Sequence, residues 1–166
     1  MLPPTDCCSC SGYPASWETQ LKEACRIQED IARSPLPVIT GEFSMAVTDC
    51  QKYLQGGYTT PYDPVTNNQT CQYYDGDFDN YEPDHKDFLH SFFISQLDSY
   101  EAGERGKSVQ ITPFVLDCRP ALSAGIGWFM WTMKVEEEAG PEWDFLYMWR
   151  RGIIPENLCS RDHHCQ

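Results

Sequence analysis

Two short stretches of this chain carry residues whose types and placement could do chemistry. The first is Pro37-Val-Ile-Thr-Gly-Glu-Phe-Ser44. Residues 37–42 read as a buried strand, because Val38 and Ile39 are β-branched and the apolar run is too short for a helix. Gly41 is expected to let the backbone pack closely where the strand stops. That leaves Glu42 at the C-terminal end, where parallel α/β folds gather their reactive groups. The second stretch, Gly127-Trp-Phe-Met-Trp-Thr-Met-Lys134, reads as an aromatic strand over 127–133 that ends in a charged segment. A carboxylate and an aromatic-lined strand together point to a sugar-processing site.

The elements that must position these residues follow from periodicity and punctuation. Ser16 is placed to cap a helix from Trp17 to Ala32, with Ala24, Ile27 and Ile31 on one face. Ser34-Pro35-Leu36-Pro37 stops it and leads into the first strand. A helix over 47–54 follows, ended by Gly56-Gly57. Residues 58–83 read as a long loop, and a loop of that length suggests a functional or disulfide-pinned excursion. Asp84 to Tyr100 is the clearest helix, capped by Asp84, with Leu89, Phe92, Phe93, Leu97 and Tyr100 on one apolar face. After the second strand come Glu136, Glu137 and Glu138, then a last helix from Glu142 to Arg150. The alternation of strand and helix predicts an α/β fold with a parallel sheet. Two strands amount to roughly a quarter of a (β/α)8 barrel, which takes about 250 residues. Such a piece leaves apolar side chains such as Val38, Ile39, Phe129 and Met130 uncovered.

Bulk composition bounds the partners. The 166 residues are enough for one domain with a real core. The 25 acidic against 12 basic residues, a net charge of -13, argue against nucleic acid and anionic membranes. No apolar run reaches the roughly 18 residues of a transmembrane helix. Aromatics make up 13% of the chain, which suits carbohydrate stacking, although core packing is their usual role. Nine cysteines in a chain of this size indicate an oxidising compartment. Asn68-Gln69-Thr70 is an N-glycosylation sequon. The start, Met1-Leu-Pro-Pro-Thr-Asp-Cys-Cys, has neither the basic nor the apolar region of a signal peptide. A secreted composition without that signal implies a native N-terminus upstream of Met1.

Three segments resemble fungal exo-1,3-β-glucanases of glycoside hydrolase family 5. Gly41-Glu-Phe-Ser-Met-Ala-Val-Thr-Asp-Cys-Gln-Lys-Tyr-Leu54 is similar to the stretch around the nucleophile of those enzymes. Gly127 to Lys134, followed by Pro141-Glu-Trp-Asp-Phe145, resembles their last strand and the loop after it. Gly152-Ile-Ile-Pro155 resembles their C-terminal turn. The likeness covers most of residues 17–165, in order; residues 1–16 read as a separate irregular, Cys- and Pro-rich segment.

The resemblance implies that residues 17–166 are the C-terminal portion of a (β/α)8 TIM barrel, with 37–42 as strand seven and 127–133 as strand eight. It implies a retaining hydrolase that releases glucose from the ends of β-1,3-glucan or related glucosides, monomeric at full length, needing no cofactor or metal, and extracellular or bound to the cell wall. Glu42 would be the nucleophile, and Trp131 would line the subsite of the terminal glucose. Retention needs a second carboxyl group about 5–5.5 Å away as proton donor. In the family that glutamate follows an Asn at the end of strand four, and this chain has no such segment; Pro155-Glu156-Asn157 has the wrong order. The chain alone is therefore expected to be inactive.

Other expectations attach to the same resemblance. Residues 106–126 have no counterpart and lack periodicity, which reads as a retained intron or a surface insertion. Cys50 would pair with Cys71, and Cys25 with Cys159, leaving Cys7, Cys8, Cys10, Cys118 and Cys165 unassigned. Cys7, Cys8 and Cys10 with His163, His164 and Cys165 lack zinc-site spacing. Asp75-Gly-Asp-Phe-Asp-Asn80 lacks the Gly and the terminal Glu of a calcium loop. Glu136 and Trp143 are further candidates for sugar contact, the first against a solvated loop and the second against packing. Two other readings stay open: a non-catalytic glucan-binding remnant, and a small secreted disulfide-rich interaction protein.

Overall fold

The computed structural model describes residues 17–46, 78–102, 124–136, 140–160, 162 and 164–165. Six regular elements appear in them: α1 (Trp17–Arg26), α2 (Gln28–Ala32), β1 (Val38–Phe43), α3 (Pro83–Tyr100), β2 (Gly125–Met130) and α4 (Phe145–Arg150). Short 3-10 turns lie at Phe78–Asn80, Pro141–Trp143 and Leu158–Ser160. The expected helix over 47–54, the loop residues 58–77, Cys50, Cys71, Asn68, Cys118, Glu137 and Glu138 lie outside the described residues.

The expected parallel pairing is present: β1 and β2 form a two-stranded parallel sheet. Its register runs Val38 to Gly125, Ile39 to Gly127, Thr40 to Trp128 and Phe43 to Met130. One extra residue therefore sits in β2 after Gly125, and one in β1 between Thr40 and Phe43. Such bulges re-aim side chains. After the second bulge Phe43 is buried and Glu42 is exposed.

α3 covers one face of this sheet and contributes more of the core than any other element. Leu89, Phe93, Ile94 and Leu97 are fully buried and share a cluster with Phe43, Met45, Met148 and Ile154. The expected apolar face is there, but burial extends around the helix to Ser95, Gln96, Asp98 and Ser99. Each of these polar groups is bonded. Ser95 donates to the Ser91 carbonyl, Gln96 to Ser44 O (3.1 Å) and Ser99 to Ala24 O, while Asp98 accepts from the backbone of His164 (2.7 Å) and Cys165. Hydrogen bonding removes most of the cost of burying them.

Several expectations change. The first helix is interrupted at Ile27, whose backbone stays right-handed and whose carbonyl still accepts from Ile31 N–H. Glu82, not Asp84, is the cap of α3, because Pro83 has no N–H to satisfy and its fixed φ suits the first helical position. β2 begins at Gly125 and ends at Met130 instead of spanning 127–133, because Val38 N–H donates to Ala124 O and Gly125 N–H to Ala102 O. Gly125 and Ile126, read as the end of an insertion, thus belong to the sheet. The last helix starts three residues later than expected, at Phe145, after the 3-10 turn and a capping Asp144.

The close backbone approach expected at Gly41 is at Gly125 instead. A Cβ on Gly41 would meet nothing within 4 Å, whereas one on Gly125 would lie 1.9 Å from the Tyr100 carbonyl oxygen. Gly41 sits in the bulge on the exposed side, and Gly125 sits where β2 presses on the end of α3.

The Cys25–Cys159 pairing is overturned: Cys25 is bonded to Cys165. The two N–H bonds to Asp98 draw His164 and Cys165 onto α3, and Cys165 Sγ lies 3.3 Å from Ser95 O. α1 is fixed beside them by the Ser99 bond to Ala24 O, so the two sulfurs meet. Cys159 is exposed on its short turn and is disulfide-bonded elsewhere.

Candidate active site

Glu42 lies one residue before the end of β1, with an exposed side chain. Trp131 follows β2 directly and is 57% exposed. The two are brought together by backbone: Trp131 N–H donates to the Phe43 carbonyl at 2.7 Å. The C-terminal ends of both strands therefore lie next to each other, one carrying an exposed carboxylate and the other followed by an exposed indole. Ile39 (56% exposed) and Phe129 (64%) continue the same uncovered side of the sheet.

What holds this end of the sheet comes from behind and from the chain that follows. Phe43 packs edge-on against Tyr100 (5.0 Å) and Trp128 (5.6 Å). Trp128 is anchored by its indole N–H, which donates to Glu101 at 2.7 Å. Past Glu42, Ser44 O accepts from Gln96 and Met45 N–H donates to Glu142 O at 3.2 Å. Past Trp131, whose peptide bond to Thr132 is cis, Thr132 N–H donates to Trp143 O and Phe145 N–H returns to Thr132 O.

Glu142 itself is fully buried. Its carboxylate lies 3.3 Å from His85 Nε2, at ion-pair distance but without hydrogen-bond alignment. His85 is stacked between Tyr81 (4.5 Å between ring centres) and Trp17 (5.5 Å). This pair ties the turn at Pro141–Trp143 to α3 and α1 below the sheet end.

The remaining candidates are placed as follows. Glu136 is exposed, and Trp143 is half-buried on the 3-10 turn. The Trp143 carbonyl accepts from Thr132 N–H, next to Trp131. Among the described residues, no group of three or more His, Cys, Asp or Glu side chains forms a metal site. Sequence reasoning missed Gln96, Glu142 and Asp144 as supports. Asp144 had a signal, an Asp directly before a helix, but the helix start was placed too early. Gln96 had none, since its partner is a backbone carbonyl 52 residues away.

A surface of one carboxylate and exposed aromatic rings suits sugars: a ring stacks on C–H faces while carboxylates accept from hydroxyls. No family model matches the chain. It is 32% identical over 149 residues to a glucan 1,3-beta-glucosidase of Blumeria graminis, covering 85% of this chain and 29% of that protein. It is 32% identical over 148 residues to a probable glucan 1,3-beta-glucosidase A of Neosartorya fischeri, covering 85% and 30%. With glucan 1,3-beta-glucosidase D of Emericella nidulans the identity is 26% over 144 residues, covering 78% and 14%. The chain spans less than a third of the length of these curated relatives. Over most of its own length, the chain is similar to one part of these fungal glucan 1,3-beta-glucosidases.

Proposed function

We propose that the chain is the C-terminal part of a (β/α)8 barrel glycosidase, with β1 and β2 as its last two strands. The parent acts on β-1,3-glucan, releasing glucose by a retaining mechanism. The observation that carries this reading is the exposed Glu42 at the end of β1, joined through Phe43 O to Trp131 at the end of β2. Glu42 attacks the anomeric carbon, Trp131 packs against the terminal glucose, and water then releases the sugar from the covalent intermediate. Glu136 and Trp143 are the secondary sugar contacts in this reading.

A parallel sheet is normally covered on both faces. Here Ile39 and Phe129 are left open, which supports a larger parent whose further strands complete the barrel and supply the proton donor. The chain alone then lacks half of the catalytic pair and is inactive. Residues 1–16 are a Cys- and Pro-rich segment outside the barrel portion, and the insertion or retained intron that begins at 106 ends before the sheet residues Gly125 and Ile126. Asn68 carries a glycan, and the parent is extracellular or bound to the wall; the Cys25–Cys165 bond supports an oxidising compartment.

A chimera tests this. Residues 17–166 replace the matched segment of the Blumeria graminis protein, and glucose release from laminarin is followed. The expected result is release with retained anomeric configuration, reduced about a thousandfold or more by Glu42→Gln. Equal turnover with Gln at position 42 overturns the assignment. Glucose release by the isolated chain, abolished by the same substitution, overturns its inactivity alone. A second reading, glucan binding without hydrolysis, draws on the exposed Trp131 and Phe129 rings; laminarin binding by an inert chimera is its signature.

A further inference from the structure

We infer that Asp144 is a positioning residue that sets where Trp131 sits, and that it does so with the carboxylate oxygen its helix cap does not use. This rests on the proposed role of Trp131 as the sugar platform.

Asp144 is buried, with only 5% of its surface exposed. Its Oδ1 accepts from Tyr147 N–H at 2.8 Å, which caps α4. A cap needs no second acceptor. Oδ2 accepts from Val135 N–H at 2.9 Å, nine residues earlier and four past Trp131. Three backbone bonds run alongside: Thr132 N–H to Trp143 O (2.6 Å), Phe145 N–H to Thr132 O (2.9 Å) and Leu146 N–H to Met133 O (3.1 Å). Asp144 thus lies in the middle of a clamp between 132–135 and 143–146. Trp131 is fixed on its other side by the bond to Phe43 O. The exposed indole has little packing of its own, so its placement depends on the backbone at either side. The Val135 bond closes the clamp at the end farther from β1. Hydrogen bonds to a charged acceptor are about twice as strong as neutral ones, which suits a segment that, among the described residues, follows the end of the strand pairing at Met130.

Asp144→Asn separates the two roles. The amide keeps the shape and one carbonyl oxygen for the Tyr147 cap, but turns a donor toward Val135 N–H. Amide exchange and indole N–H resonances are recorded on the full chain, with Trp131 assigned through Trp131→Phe. In Asp144→Asn, Val135 N–H exchange is expected to accelerate about tenfold. The Trp131 indole resonance should shift or broaden, while the Tyr147 amide and the Trp128 indole stay as in the wild type. Asp144→Ala also exposes the Tyr147 amide and lowers the melting temperature. A Trp131 resonance unchanged in Asp144→Asn overturns the inference, as does a Val135 amide that remains protected. Laminarin titration, read on the same resonances, tests the functional reading separately. A wild-type chain whose Trp131 signal ignores laminarin counts against the sugar platform, while the exchange data still decide the clamp.

Discussion

The two faces of the β1–β2 sheet are built from similar residues and have opposite fates. Toward α3, Phe43 and Phe93 are buried and interlocked with Trp128 and Tyr100. On the other face, Ile39 and Phe129 stand more than half exposed beside Glu42 and Trp131. Side-chain type cannot separate them, because aromatic rings stand on both: Phe43 and Trp128 on one, Phe129 on the other. What separates them is the presence of a helix on one side and of the candidate chemistry on the other. The closed face carries stability and the open face carries the proposed site.

The largest test of that division compares one residue type on the two faces. Phe93→Ala removes a fully buried ring from the middle of α3, and the expected loss in urea unfolding is about 3–5 kcal/mol. Phe129→Ala removes an exposed ring and should cost within about 0.5 kcal/mol. Equal losses would mean that the open face is as much a part of the core as the closed one.

The next effect concerns how the closed side is held at its rim. The Cys25–Cys165 bond joins positions 140 residues apart and fastens α1 and the C-terminal segment to α3. Replacing both cysteines by Ser should lower stability by about 3 kcal/mol, chiefly by freeing the unfolded chain. Replacing Cys159 alone should leave the α1 attachment intact, measured as unchanged protection of α1 amides. Loss of that protection on Cys159→Ser would contradict the pairing.

The glycines then sharpen the comparison at the backbone. Gly125→Ala drives a methyl group into the Tyr100 carbonyl and should cost about 2 kcal/mol, because neither strand nor helix end can give way cheaply. Gly41→Ala, with open space around its Cβ, should change stability by less than about 0.5 kcal/mol. If Gly41→Ala proved the costlier, the bulge that turns Glu42 outward would depend on that glycine.

These same positions show what the chain disclosed beforehand. The strands, their parallel order and the α3 core were legible because they rest on local signals: β-branched runs, an aromatic run and helical spacing of Leu89, Phe93 and Leu97. Glu42 at a strand end was legible for the same reason. The cysteine partner, the glycine that must stay small and the polar groups buried on α3 were not. Each depends on a contact between distant segments, such as Asp98 with His164 and Cys165, or Gln96 with Ser44. Asp144 lies between: its capping role was local and readable, and its bond to Val135 was not. Register was also hidden, because two bulges shift the pairing without any change in composition.

The smallest effect lies at the seam between the faces, at Tyr100. Its ring packs on Phe43 and its hydroxyl donates to Gln96, the residue that holds the Ser44 carbonyl just past Glu42. Burial pushes its phenol up to about 12, against about 10 in an unfolded chain. Below about pH 10 both states keep the proton and the contribution is whole. Between about 10 and 12 the unfolded chain loses its proton while the folded one retains it, so stability falls as pH rises and the contribution is gone above the folded value. Two pH units correspond to at most about 3 kcal/mol, and partial contact with water reduces this to about 1–2 kcal/mol. Tyr100→Phe removes the titration together with the Gln96 bond. Its stability should start about 1 kcal/mol lower at neutral pH and then fall less steeply than the wild type above about pH 10. Parallel alkaline slopes in the two proteins would mean that the phenol is as wet as the open face, and that the seam lies deeper, at Phe43.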